Sequence, residues 1–95
     1  MEKITVKGRI EFRDRKLKGY NREFTATLQD SAAFAYGNKT SVYIEYGTMD
    51  NGERAEPTLI DTRYDRTIRS NEASFKEWIR VYIKEHFAPH TLTIY

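Results

Sequence analysis

Two aspartates flank an arginine in the segment Asp61-Thr62-Arg63-Tyr64-Asp65. On a β-strand, residues 61, 63 and 65 share one face, so both carboxylates would project from the same side. Paired carboxylates can bind a divalent cation or exchange protons during catalysis. Arg63 lies between them, however, and its positive charge opposes the binding of a cation at the same place. We therefore expect a solvated ladder of charges here, and a metal-dependent hydrolase using Asp61 and Asp65 is the less favoured hypothesis.

The other patterns with metal-site or catalytic spacing are weaker. His86 and His90 are four residues apart, a spacing that places two imidazoles on one helix face, but Pro89 lies between them and interrupts a helix. Asp14 and Lys16 match only half of a metal-nuclease pattern. The chain has no cysteine, and its five glycines form no phosphate-binding loop. We predict no catalytic residues, no metal and no cofactor, and hence a protein that is not an enzyme.

Tyrosine is abundant, with seven tyrosines in 95 residues. Tyrosine and arginine are enriched at protein interfaces, where a rigid ring buries area at a low cost in conformational entropy. The competing interpretation is that several tyrosines fill the core while their hydroxyl groups reach water. We predict a small accessory or regulatory binding module that contacts another protein or, through an edge strand, a second copy of itself. Its predicted contact residues are Tyr43, Arg63, Tyr64 and Tyr95.

The segment 13–22 holds the strongest local excess of positive charge, because it has five basic side chains against Asp14 alone. Basic side chains near exposed tyrosines also suit nucleic acid, since cations contact phosphates and rings stack on bases. Acidic and basic residues are otherwise well mixed along the chain, which favours a protein partner over a nucleic acid. Nucleic-acid binding is the alternative prediction. Its predicted contact residues are Arg13, Arg15, Lys16, Lys18 and Arg22.

The elements that position these residues follow from the spacing of apolar side chains. Residues 4–13 alternate apolar and polar, which predicts a half-buried strand, and Gly8 on its apolar face predicts a bulge or a close-packed neighbour. A second strand, over 20–28, completes an antiparallel hairpin with the basic residues at its tip. Third and fourth strands are predicted over 41–46 and 58–64, and Ser31 is predicted to cap a short helical turn near 31–36.

An apolar stripe at helical period predicts one helix in the C-terminal half of the chain. Ser70 or Asn71 can cap its start, and Pro89 ends it. Residues 91–95 alternate again and predict a last strand. The sequence thus predicts a single α+β domain over residues 1–95, a two-layer fold in which one helix packs on a mostly antiparallel sheet of about five strands, in the order β-β-β-β-α-β. The stripe consists of Phe75, Trp78, Ile79, Tyr82, Ile83, His86 and Phe87.

Composition excludes several classes of protein. Aromatic residues make up 14% of the chain, which is too many for a disordered protein even though 32% of the residues are charged. No apolar run approaches the roughly 20 residues needed to cross a membrane. Residues 1–7 alternate instead of forming the apolar stretch of a signal peptide, so we expect a cytoplasmic location. The net charge of +2 specifies no partner by itself.

Overall fold

A computed structural model of the protein describes residues 3–31, 39–62, 68 and 71–95. The predicted order of elements is confirmed, with a short 3₁₀ helix at Lys18–Tyr20 in the first hairpin. The strands and the helix are β1 (Ile4–Glu11), β2 (Arg22–Ser31), β3 (Lys39–Tyr46), β4 (Thr58–Asp61), α1 (Glu72–Phe87) and β5 (Thr91–Ile94).

The five strands form one antiparallel sheet in the order β4-β3-β2-β1-β5. Helix α1 follows the edge strand β4 and leads to β5 at the opposite edge, and it packs over β1 and β5. The predicted two-layer α+β fold is therefore confirmed. A helical turn is predicted near 31–36. Ser31 is the last residue of β2, and residues 32–36 lie outside the described residues. The predicted fourth strand is shorter than expected, because β4 ends at Asp61.

The core lies between α1 and one face of the sheet. Alternating residues of the strands face the helix, as the period-two pattern predicts, and three helix residues spaced by four meet them. Gly8 faces the same side, and a Cβ at this position would lie 2.5 Å from the Phe24 ring and would also clash with the Thr93 carbonyl oxygen. The prediction of a close-packed neighbour at Gly8 is confirmed. The core cluster consists of Val6, Ile10, Phe24, Ala26, Leu28, Val42, Ile44, Phe75, Ile79 and Ile83.

Both ends of α1 are fixed by local hydrogen bonds. The Asn71 side chain accepts a hydrogen bond of 2.8 Å from the backbone N–H of Ser74, which makes Asn71 the N-cap, one of the two residues predicted for this role. At the other end, Ala88 adopts the left-handed conformation, with φ of 44°, and its N–H donates to the Lys84 carbonyl oxygen. Pro89 follows, so the helix ends where the sequence predicts.

Candidate functional site

The sheet face opposite α1, which we call the open face, carries mostly polar side chains. Strand register sets them in rows across the sheet: Lys7 is opposite Thr25, and Thr25 is opposite Glu45. In the neighbouring row, Thr27 is opposite Tyr43. Neighbouring strands are about 4.8 Å apart, so Lys7 and Glu45 are separated by about 10 Å across the open face.

A groove of about 700 Å³ lies on the open face. Thr25 and Gly47 are small and line it beside larger neighbours, among them Tyr43. Residues 54–57, which precede β4, line it on one side, and Tyr95 lines it at the β5 end of the sheet. We call this the open-face groove. It joins residues from β1, β2 and β3 with the loop that follows β3, and these segments are distant in sequence.

The structure places two of the predicted protein-binding residues, Tyr43 and Tyr95, together in the open-face groove. Tyr43 is half-buried. Tyr95 remains 60% exposed, although both its backbone N–H and its hydroxyl group are hydrogen-bonded. The Tyr95 N–H donates to the Lys7 carbonyl oxygen at 2.8 Å, and its hydroxyl donates to a Glu23 carboxylate oxygen at 3.4 Å. The other two predicted residues, Arg63 and Tyr64, lie outside the described residues.

The charged side chains of the open-face groove are not paired with one another. In the part of the chain that the structure describes, Lys7, Glu45, Arg54 and Glu56 form no ion pair. Arg9, on the same face, is different because it contacts Glu11 at 3.1 Å and Asp50 at 3.4 Å. The hydrogen bond to Glu11 is the largest cause of a raised Arg9 pKa. Among the described residues, the groove therefore offers both cations and carboxylates that no ion pair occupies.

A second candidate surface is the tip of the β1–β2 hairpin, residues 13–20, which we call the hairpin tip. The Asp14 side chain accepts a hydrogen bond from the Lys16 N–H at 2.9 Å, and the Asp14 carbonyl oxygen accepts one from the Leu17 N–H. The Gly19 carbonyl oxygen accepts a hydrogen bond of 2.8 Å from the Asn51 N–H, which fastens the hairpin tip to the β3–β4 loop. This local bonding makes the hairpin tip an ordered loop.

Four of the five residues predicted to contact nucleic acid lie on the hairpin tip and are exposed. In the described part of the structure none of the four forms an ion pair with a carboxylate. Leu17 and Tyr20, which are also exposed, add apolar surface beside these cations. The four are Arg13, Arg15, Lys16 and Lys18.

Arg22, the fifth of these residues, lies apart from the hairpin tip and is only 8% exposed. Its guanidinium carbon is 5.2 Å from the centre of the Tyr46 ring and 5.0 Å from that of Phe87, and Nη1 donates to the Met49 sulfur at 3.1 Å. Its Nε has no hydrogen-bond partner in the described structure. Burial lowers the Arg22 pKa, and the contacts with the Tyr46 and Phe87 rings offset part of the cost of burying the charge.

The burial of Arg22 could have been found in the sequence. Arg22 is in phase with Phe24, Ala26 and Leu28, so the alternation of β2 turns it toward the core. Counting charge along 13–22 grouped it with the hairpin tip, because a count of charges contains no information about which face a strand residue occupies.

Three rings on α1 form a stack along the helix. The centres of the Trp78 and Tyr82 rings are 5.3 Å apart, and those of Tyr82 and His86 are 3.9 Å apart. Tyr46 also packs edge-on against Phe87, and burial raises the pKa of both Tyr46 and Tyr82. These tyrosines fill the space between helix and sheet, as the core interpretation of the tyrosine excess predicts.

The histidines and aspartates considered as catalytic or metal-binding residues do not converge in the described structure. His86 Nδ1 is 2.9 Å from the Tyr82 carbonyl oxygen, and His90 Nδ1 is 3.0 Å from the Thr91 hydroxyl oxygen. Asp61 ends β4, whereas Asp65 lies outside the described residues. Within the described ranges, no three acidic, histidine or cysteine side chains are grouped so as to hold a metal ion.

None of the helices described is long and apolar enough to cross a membrane. Comparisons with protein-family models, with curated proteins and with solved structures gave no match.

Proposed function

We propose that the protein is a small, non-enzymatic binding module that acts as an accessory or regulatory protein in the cytoplasm through protein–protein contacts. The observation that carries this proposal is the open-face groove, where Tyr43 and Tyr95 are presented together beside charged side chains. Tyrosine rings bury a large area on binding, and they lose little conformational entropy because only two side-chain torsions become fixed.

The electrostatics of the open-face groove also support a protein ligand. Lys7 and Glu45 lie in one row on either side of Thr25. Neither is in an ion pair among the described residues, so a partner with charges of both signs can pair with both. Such pairs contribute mostly specificity and association rate, while the rings contribute affinity.

Truncation of the tyrosines tests this proposal. Tagged wild-type protein and the variants Tyr43→Ala and Tyr95→Ala are used to capture partners from a lysate, and the bound proteins are quantified by mass spectrometry. We expect a specific partner to be reduced at least about tenfold by either variant, the loss typical of an aromatic interface residue. Val81→Ala is the matched control, because Val81 is an exposed apolar residue on the helix, away from the groove. Equal capture by all four proteins would refute the proposal.

A second candidate function, nucleic-acid binding, is favoured by a different observation: the ordered hairpin tip presents four exposed cations. Binding of labelled single- and double-stranded DNA and RNA would be measured by fluorescence anisotropy at about 50 and about 200 mM salt, because phosphate contacts weaken steeply with salt. Loss of binding in the double variant Arg15→Glu/Lys16→Glu would support this function. No binding at either salt concentration would exclude it.

A further inference from the structure

The hairpin tip combines positive charge with an exposed apolar side chain. Arg15, Lys16 and Lys18 are exposed, and the one carboxylate of the tip, Asp14, accepts a hydrogen bond from the backbone of the same loop. Leu17, between these cations, is 42% exposed. A surface that receives this tip must offer carboxylates around an apolar contact.

The open-face groove offers this combination. Glu45 and Glu56 are exposed and form no ion pair in the part of the chain that is described. Among the described residues, the Glu23 carboxylate accepts only the 3.4 Å hydrogen bond from the Tyr95 hydroxyl. The tyrosine rings and Pro57 supply apolar surface beside these carboxylates. The groove also contains Lys7 and Arg54, so its side chains carry one net negative charge, and we expect a weak, reversible contact.

We infer that the open-face groove binds the hairpin tip of a second copy of this chain. This inference rests on the proposed function, because it assigns the protein partner of the same groove. The cations of the tip pair with Glu45 and Glu56, and Leu17 packs against the tyrosines. The tip is already ordered by its own hydrogen bonds, so little conformational entropy is lost when it docks.

In one molecule the hairpin tip does not occupy the open-face groove, because none of residues 13–20 lines it. The hydrogen bond from Asn51 to Gly19 holds the hairpin tip against the β3–β4 loop, and a Cβ on Gly19 would lie only 3.1 Å from the Asn51 Cβ. The contact therefore joins two different patches on two molecules. Each added molecule keeps one free tip and one free groove, so association proceeds beyond the dimer into rings or open chains.

Sedimentation velocity tests the inference with the unmodified protein as its own ligand. Over about 10 µM to about 1 mM protein, the range of a weak contact, we expect the mean sedimentation coefficient to rise with concentration. The rise should be smaller at about 200 mM than at about 50 mM salt, because exposed charges are screened. Neutralising either surface, with Arg15→Gln/Lys16→Gln or with Glu45→Gln/Glu56→Gln, should weaken association by about tenfold.

Mixing the two double variants gives the sharpest result. Arg15→Gln/Lys16→Gln retains an intact groove, and Glu45→Gln/Glu56→Gln retains an intact tip. An equimolar mixture should therefore form dimers and no larger species. Matched controls make the same charge changes on α1, with Arg80→Gln/Lys84→Gln and Glu77→Gln/Glu85→Gln, and should associate like the wild type.

Three outcomes would overturn the inference: a wild-type protein that stays monomeric, controls that weaken association as much as the test variants, or a mixture that forms no dimer. If the inference fails while Tyr43→Ala still loses a captured protein, the groove binds another partner and the proposed function stands. If the inference fails and Tyr43→Ala also loses no captured protein, both the inference and the proposed function fail.

Discussion

The Arg22 guanidinium lies 5.0 Å from the centre of the Phe87 ring, so the first residue of β2 packs against the last residue of α1. No carboxylate pairs with Arg22 among the described residues. A buried cation without a counter-ion contributes through the packing of its side chain and through its contacts with the rings. The positive charge itself is costly in this position.

We therefore expect Arg22→Met to change the free energy of unfolding by no more than about 1 kcal/mol, because methionine retains most of the buried volume without the charge. Arg22→Ala should cost about 2 to 4 kcal/mol, since it leaves a cavity beneath Phe87. Urea denaturation of both variants measures the difference. A loss in Arg22→Met as large as that in Arg22→Ala would contradict this account, because it would show that the charge, which both variants lack, stabilises the fold.

Gly8 is expected to tolerate no side chain. Gly8→Ala places a methyl group against the Phe24 ring and the Thr93 carbonyl oxygen, and overpacking of this kind costs about 1 to 3 kcal/mol. Gly47→Ala is the matched control, because the nearest atom to its added Cβ, the Glu23 carbonyl oxygen, is at an ordinary 3.5 Å. Thermal denaturation should show a lower Tm for Gly8→Ala only. Equal losses in the two variants would contradict the close contact at Gly8.

The Asn71 cap is expected to stabilise α1. Asn71→Ala removes the acceptor of the Ser74 N–H and should reduce the free energy of unfolding by about 1 kcal/mol. Asn71→Asp keeps an acceptor at the positive end of the helix dipole and should remain within about 0.5 kcal/mol of the wild type. Chemical denaturation followed by circular dichroism compares the three proteins. If Asn71→Asp lost as much free energy of unfolding as Asn71→Ala, the hydrogen bond accepted from Ser74 would not be the way in which Asn71 stabilises α1.

Stability is expected to fall in alkaline solution because of Tyr46. Burial raises the pKa of its hydroxyl above the ordinary value of 10.0, so the folded protein retains this proton after the unfolded chain has lost it. The contribution of Tyr46 is complete below pH 10.0 and is lost as the pH rises through the folded-state pKa. Tyr82 shifts in the same direction.

Tyr46→Phe should therefore reduce the alkaline fall in stability, as measured by urea denaturation at increasing pH. Tyr20→Phe, at an exposed tyrosine of the hairpin tip, is the matched control and should retain the wild-type pH dependence. If the stability of Tyr46→Phe depended on pH as the wild type does, Tyr46 would not be the cause of the alkaline fall in stability.

Local patterns predicted most of the fold. The alternation along β1 and the apolar stripe of α1 each depend on a single repeating period, which a strand or a helix imposes on its own sequence. Two predictions fell short. Counting charge along 13–22 grouped the buried Arg22 with the hairpin tip, and β4, predicted over 58–64, ends at Asp61.

The open-face groove was only partly predictable. Tyr43 and Tyr95 were predicted as contact residues from the abundance of tyrosine, but nothing local indicates that the two lie in one groove. That proximity follows from the pairing of β5 with β1, which brings Tyr95 beside Lys7. The contribution of residues 54–57 depends equally on how the β3–β4 loop folds back. Long-range pairing of this kind depends on the whole chain, and no short segment encodes it.

Site-specific photo-crosslinking in cells tests most directly whether the open-face groove is a protein-binding surface. A photoreactive phenylalanine analogue is placed at position 43 in the groove and, in a second protein, at position 81 on α1, where the native Val81 is exposed. We predict a discrete protein adduct, either another protein or a second copy of this chain, from position 43 and none from position 81. Adducts from position 81 alone, or none from position 43, would contradict the proposal that the groove is where this protein binds its partner.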